Sequence, residues 1–179
     1  MNDFASPLNV SVAAVEGECQ RILAAAKSPY GVEADVVRIF VESSSVRIIE
    51  TRIPMSLDDT IIREMAFKFG RADIVVFHID GSASVIEAKD GAKGYNHVVA
   101  GIGQAGLYSA QLAMNKGALT VVRKCLLWTS TGNVALDSLI EAACEQSGTV
   151  ALPWAHIKTH TATEQAVRNL SQDGRKAQD

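Results

Sequence analysis

The chain has 179 residues, 47% of them hydrophobic and 21% charged, which fits one globular α/β domain with enough length for a substantial core. No stretch reaches the ~18 unbroken apolar residues of a membrane span, and no basic segment followed by an apolar one marks a secretory leader, so a cytoplasmic protein is expected. The net charge of −3 argues against nucleic acid as a partner for the chain as a whole, but residues 63–124 carry eight Lys/Arg against five Asp/Glu. That local positive excess is what a polyanion needs.

In chain order, Ser6-Pro7 opens an expected helix running to about Lys27, with an apolar stripe of Val12, Val15, Cys19, Ile22, Leu23 and Ala26. At 100° per residue Glu16 falls inside that stripe, and a buried acid needs a partner: a core arginine, a backbone group or an active site. Val36–Val41 and Val46–Thr51 read as strands around a Ser43-Ser44-Ser45 turn. Ser56, with Asp58 and Asp59 behind it, reads as the cap of a helix to Phe69 that stops at Gly70. On this helix Glu64 is a spare candidate ligand, or simply an exposed acid.

The run Arg71 to Lys89 carries most of the chemistry. Ile74–Ile79 and Ala83–Ile86 are apolar runs around Asp80-Gly81-Ser82, which predicts a hairpin. Asp73 opens the first run, and Glu87-Ala88-Lys89 closes the second. Side chains alternate along a strand, so Glu87 and Lys89 share a face. Asp73 joins them only if the connection is odd; a three-residue loop, Asp80–Ser82, would set Asp73 opposite Lys89. Strands seldom hold three charges without a use for them. Two hard carboxylates suit Mg²⁺ or Mn²⁺, and the ammonium can steer a water or a phosphate.

Tyr95–Asn115 reads as a long helix in spite of Gly101, Gly103 and Gly106, with Gln104, Tyr108 and Gln111 along one stripe. A strand over Lys124–Thr129 and a helix over Val134–Gln146 follow, then a short edge strand, Val150–Ile157, interrupted by Pro153. Residues 1–160 are expected to form the domain, and 161–179 a frayed polar tail. Cys19, Cys125 and Cys144 are too scattered for a zinc site or a disulfide framework. The histidines lack metal-ligand spacing; His78 reads as a strand residue with a satisfied ring, and His97 could line the mouth of a site.

The order of helix, strands, Asp73-to-Glu87-x-Lys89 hairpin and a helix with Gln104-x-x-x-Tyr108 resembles the PD-(D/E)XK nuclease superfamily, its RecB-like branch above all, over roughly Glu16 to Thr129. Ala72 stands where the superfamily name has proline. The resemblance implies a restriction-endonuclease-like core, a central mixed β-sheet flanked by helices in αβββαβ order. It implies that Asp73, Glu87 and Glu16 bind Mg²⁺ or Mn²⁺, that Lys89 positions or activates the attacking water, and that Gln104 and Tyr108 orient the site or touch the nucleic-acid backbone. Tyrosine on a core-facing helix also packs with no such role. The implied function is phosphodiester hydrolysis in DNA, with Arg63, Lys68, Arg71, Lys93 and Lys116 as candidate phosphate contacts. A protein that keeps the fold but only binds nucleic acid or a protein partner, in a phage, defence or restriction setting, is the alternative. The small surface leaves room for a homodimer or larger assembly.

Overall fold

The structure, a computed structural model, describes residues 11–25, 33–42, 51–115, 117, 119–154, 162–163 and 165–171. They fall into two compact units, one from residues 1–28 and 158–179, the other from residues 29–157.

In the first unit, α1 spans Val12–Ala25. Cys19 is buried with Ala162 and Ala166, and Val15 packs beside them. Glu18 ties the two segments together, taking bonds from Arg21 Nε at 2.7 Å and Asn169 Nδ2 at 3.0 Å. The Arg21 guanidinium, with Asn169 helping, holds the Glu18 carboxyl down at about 2. Residues 165–171 of the expected tail are helical; residues 172–179 lie outside the described part.

The second unit is an α/β layer structure. Its elements are α2 (Glu33–Glu42), β1 (Thr60–Phe67), β2 (Gly70–Phe77), β3 (Ala83–Lys89), α3 (Tyr95–Asn115), β4 (Val122–Trp128), α4 (Val134–Gln146) and β5 (Val150–Pro153). The strands form one mixed sheet in the order β1-β2-β3-β4-β5. β1, β2 and β3 are antiparallel neighbours; β4 and β5 join in parallel. Parallel neighbours need a crossover, and α3 and α4 supply the two. One face of the sheet, with Ile74, Val76, Ile86, Ala88, Cys125 and Leu127, packs on Val36, Val37 and Phe40 of α2. The other face is covered by α3 and α4, through Tyr108 and Leu112 near β2 and through Val98, Ile140 and Cys144 near β4. Among the described residues no helix is long and apolar enough to cross a membrane.

Two expected elements are corrected. Val36–Val41 lies in a helix, not a strand. Its β-branched residues favour a strand, but Val36, Val37 and Phe40 share one helical face, and that face finds a sheet to cover. Glu33 and Asp35 sit in the first turn, where the helix dipole favours acids, and Arg38 bonds Glu42 one turn on at 3.0 Å. The Ser56–Phe69 helix is instead a turn followed by β1. The cap does form locally: Ser56 N–H donates to Asp59 Oδ2 at 2.9 Å, and Asp58 N–H to Ser56 Oγ at 3.3 Å. It leads into no helix because Thr60–Phe67 pairs with β2 along its length, a case of tertiary pairing overriding a local signal. The strand expected at Val46–Thr51 lies almost wholly outside the described residues; Thr51 itself is not in a strand.

Candidate active site

The β2–β3 hairpin runs in a register that pairs Ile74 with Ile86 and Phe77 with Ala83. His78 N–H closes it on the Ser82 carbonyl at 2.9 Å, leaving Ile79, Asp80 and Gly81 as a three-residue loop. Gly81 supplies the positive φ of 80° that such a loop wants. The loop is odd as expected but begins one residue earlier, so one step beyond the last ladder pair Asp73 comes level with Glu87 rather than Lys89.

The strand pattern breaks at Asp73. Across β1, Arg63 pairs with Ile74 and Met65 with Ala72, but Glu64 and Asp73 between them do not pair, and Glu64 has a φ of 57°. Ala72 and Val75 lie in one core cluster, Ile74 and Val76 in the other, so the alternation of side chains slips by one around Asp73. On the β3 side, Asp73 Oδ2 itself accepts the Ala88 N–H at 2.7 Å. One carboxylate oxygen thus closes the end of the sheet where a backbone carbonyl would otherwise serve.

Glu87 is 3% exposed and Lys89 7%. Lys89 Nζ donates to Glu87 Oε1 at 2.8 Å, and among the described residues Glu87 Oε2 has no hydrogen-bond partner. Burial pushes the Glu87 carboxyl up to about 7, with Asp73 and Glu33 adding to the rise and Lys89 opposing it. Burial also raises Asp73, against the pull of the Ala88 N–H and of Lys89; Glu64 and Glu33 push the same way as burial. Gly101 of α3 makes room for the lysine, since a Cβ there would stand 2.9 Å from Lys89 Cγ and 2.6 Å from Leu126 Cδ1.

Sequence reasoning missed Glu33, at the start of α2. Its Oε1 accepts from Asp90 N–H at 3.1 Å and Lys93 Nζ at 3.2 Å, and lies 2.5 Å from His97 Nε2. Burial pushes its carboxyl up, but these three bonds outweigh burial and leave it below its usual value. Glu33 and Asp73 line a cavity of about 770 Å³ with Arg63, Glu64 and Arg71. The signal for Glu33 was present in the sequence as an acid preceding a helical apolar face, and it went unread because that face was assigned to a strand.

Glu16 is exposed on α1, in the other unit. Gln104 is exposed on α3. Tyr108 is buried on the sheet, stacked on Phe67 with ring centroids 5.8 Å apart and seated against Gly70. Its neighbour on the stripe, Gln111, accepts the Phe69 N–H at 3.0 Å. Together they fix the tip of the β1–β2 hairpin, and no hydrogen bond among the described residues joins Tyr108 to Asp73, Glu87 or Lys89.

Among the described residues no group of three or more His, Cys, Asp or Glu side chains is placed to hold a metal ion. The end of the hairpin carries two carboxylates, Asp73 and Glu87, with Glu33 near enough to affect the charge of both. No protein-family model, no curated protein and no solved structure matches the chain.

Proposed function

We propose that the chain is a metal-dependent nuclease that hydrolyses phosphodiester bonds in DNA, built on the PD-(D/E)XK plan. The observation that carries the reading is the Glu87 carboxylate: buried, with one oxygen unpartnered and its proton affinity raised beside a second raised carboxylate. Two acids forced together in a poorly solvated place favour a cation. Mg²⁺ or Mn²⁺ fits this set, because such ions commonly take only one or two protein carboxylates and complete their shell with water and substrate phosphate oxygens. Asp73 and Glu87 would hold the ion, with Glu33 as a helix acid beside them in this reading. When bound, the ion polarises the phosphoryl oxygen and makes a bound water more acidic.

The chain's own residues do the rest. Lys89, which donates to Glu87, would be placed to offer its ammonium to the attacking water or to a phosphate oxygen. The stem of Lys89 lies against Gly101, where a Cβ would stand 2.9 Å from its Cγ and 3.1 Å from its Cε. Asp73 is positioned by the Ala88 N–H, which donates to its Oδ2. His97 and Lys93 hold Glu33 ionised beside the pair.

One observation favours the alternative of a binding protein without catalysis: the Lys89–Glu87 ion pair already neutralises the more buried acid without a metal. Cleavage of supercoiled, linear and single-stranded DNA with Mg²⁺ or Mn²⁺ decides between them. Metal-dependent cutting lost in Glu87→Ala and Lys89→Ala supports the nuclease. Folded wild-type protein that does not cut, and shows no metal-dependent thermal shift that Asp73→Ala removes, leaves the binding protein.

A further inference from the structure

The cavity beside Asp73 holds a pair of charges that the reaction does not use. Arg71 Nε lies 2.7 Å from Glu64 Oε2, with the two side chains 63% and 50% exposed. Ion pairs this open to water are weak and readily exchanged. Glu64 nonetheless keeps its place at a φ of 57°, a backbone conformation no other non-glycine residue adopts among those described. A strained residue at the lip of a cavity is where a functional constraint is to be sought. Arg63, also exposed, lines the same cavity.

We propose that this cavity seats a phosphodiester of the nucleic-acid backbone next to the one attacked, that Arg71 is its forked donor, and that Glu64 is an internal competitor holding Arg71 until the phosphate displaces it. The proposal rests on the nuclease reading for its choice of a polynucleotide. Its physical basis is local. A carboxylate and a phosphate offer a guanidinium the same pair of oxygens, so each can replace the other on Arg71. The lining carries three carboxylates, Glu33, Glu64 and Asp73, against two guanidiniums. An anion enters only as Arg71 is released from Glu64, and Arg63 beside it adds to the attraction. Glu64 is thus a brake on binding, and its loss should tighten binding.

The test is fluorescence anisotropy of a short labelled oligodeoxynucleotide, single-stranded and duplex, over a salt series, in EDTA and again in Ca²⁺. The proteins are wild type, Glu64→Gln, Glu64→Gly, Arg71→Ala and Arg71→Lys. Arg71→Ala is expected to weaken binding by about 5–10-fold and to lower the salt slope by about one. Arg71→Lys should restore part of the loss. Glu64→Gln and Glu64→Gly should each tighten binding by about 3-fold or more, as removal of one facing charge predicts; glycine takes the positive φ freely, so the fold is kept. Unchanged or weaker binding by both Glu64 variants overturns the proposal, as does an Arg71→Ala protein that binds like wild type. Inorganic phosphate that competes through Arg71 more strongly than sulfate of equal ionic strength assigns the cavity to a small phosphorylated ligand and likewise overturns it. The two readings fail separately. Wild type that cuts DNA but shows neither change loses the seat and keeps the nuclease. Wild type that never cuts, yet binds with this pattern, loses the nuclease and keeps Arg71 and Glu64 as a phosphodiester seat of a binding protein.

Discussion

The two ends of the β2–β3 hairpin each bury a carboxylate beside a basic side chain and treat it in opposite ways. At the turn end, His78 Nδ1 lies 2.7 Å from Asp59 Oδ2 and Nε2 lies 2.8 Å from Ser84 Oγ. Asp59 also accepts from Ser56 N–H and Ile79 N–H, and burial, which would raise its carboxyl, is outweighed so that it sits below its usual value. At the open end Glu87 has one oxygen with no partner among the described residues and is raised to about 7. The Asp-His-Ser chain has the connectivity of a nucleophilic triad, but Ser84 is wholly buried under the sheet, so no substrate reaches its hydroxyl. The lesson is that residue type does not separate a brace from a site; the degree of hydrogen-bond satisfaction does.

The sharpest break of this comparison is kinetic. Glu87→Gln should lower cleavage by about 10³-fold or more, ~4 kcal/mol in the barrier, in a single-turnover assay with Mg²⁺. Ser84→Ala should leave the rate within about 2-fold, since the turn end does no chemistry. Comparable losses from both would erase the distinction.

Stability should rank the two ends the other way. Asp59→Ala leaves the buried His78 ring without its acceptor and two N–H groups unpaired, at a cost of about 3 kcal/mol. Urea midpoints measure this, and a loss under ~1 kcal/mol would show that the chain does not brace the turn.

The pH response should also be opposite at the two ends. Glu87 holds its proton more tightly folded than unfolded, so its contribution to stability is fully present below the ordinary value of 4.5 and is lost as pH rises through about 7. Asp59 is held low, so its contribution is present above its ordinary value and is lost as pH falls. In metal-free protein, Glu87→Gln should flatten the decline of the urea midpoint between about pH 5 and pH 8. An unchanged slope would mean that Glu87 does not carry the shift.

The smallest effects come from two glycines on α3. Gly101→Ala drives a Cβ into Leu126 and Lys89 and should cost ~1–2 kcal/mol while disturbing cleavage. Gly103→Ala meets nothing within 4 Å and should stabilise by up to ~1 kcal/mol with cleavage unchanged. Equal behaviour of the two would deny that Gly101 exists to admit the lysine.

The hairpin and the two later helices were legible because their signals are local and agree: alternating apolar runs around a glycine turn, and the Asn133 side chain bonding the Ala135 and Leu136 N–H groups at the start of α4. α2 was illegible because Val36, Val37, Ile39, Phe40 and Val41 fit either period, and only the sheet beneath decides. β1 was hidden by a cap signal that is real but serves Asp59's bond to His78. Glu87 and Lys89 share a face by parity alone, but Asp73 needed an odd connection, and its register, level with Glu87 rather than Lys89, was not legible. Glu33 was readable as a first-turn helix acid only once its apolar face is taken as helical, and its approach to the pair depends on α2 packing across the sheet. Tyr108 shows the converse: a motif position readable in sequence whose side chain is taken up by Phe67 and Gly70.

Among the described residues β1 lies at the margin of the sheet, with one side of its backbone paired to no described strand. A regular strand in that position is a template for the strand of another molecule, and Ile62 is exposed on it. The left-handed backbone at Glu64 interrupts its row of donors and acceptors midway and places a charge there. The same irregularity therefore blunts this stretch of β1 as a template for another chain's strand, and a variant that straightened β1 would be expected to aggregate before it lost its fold.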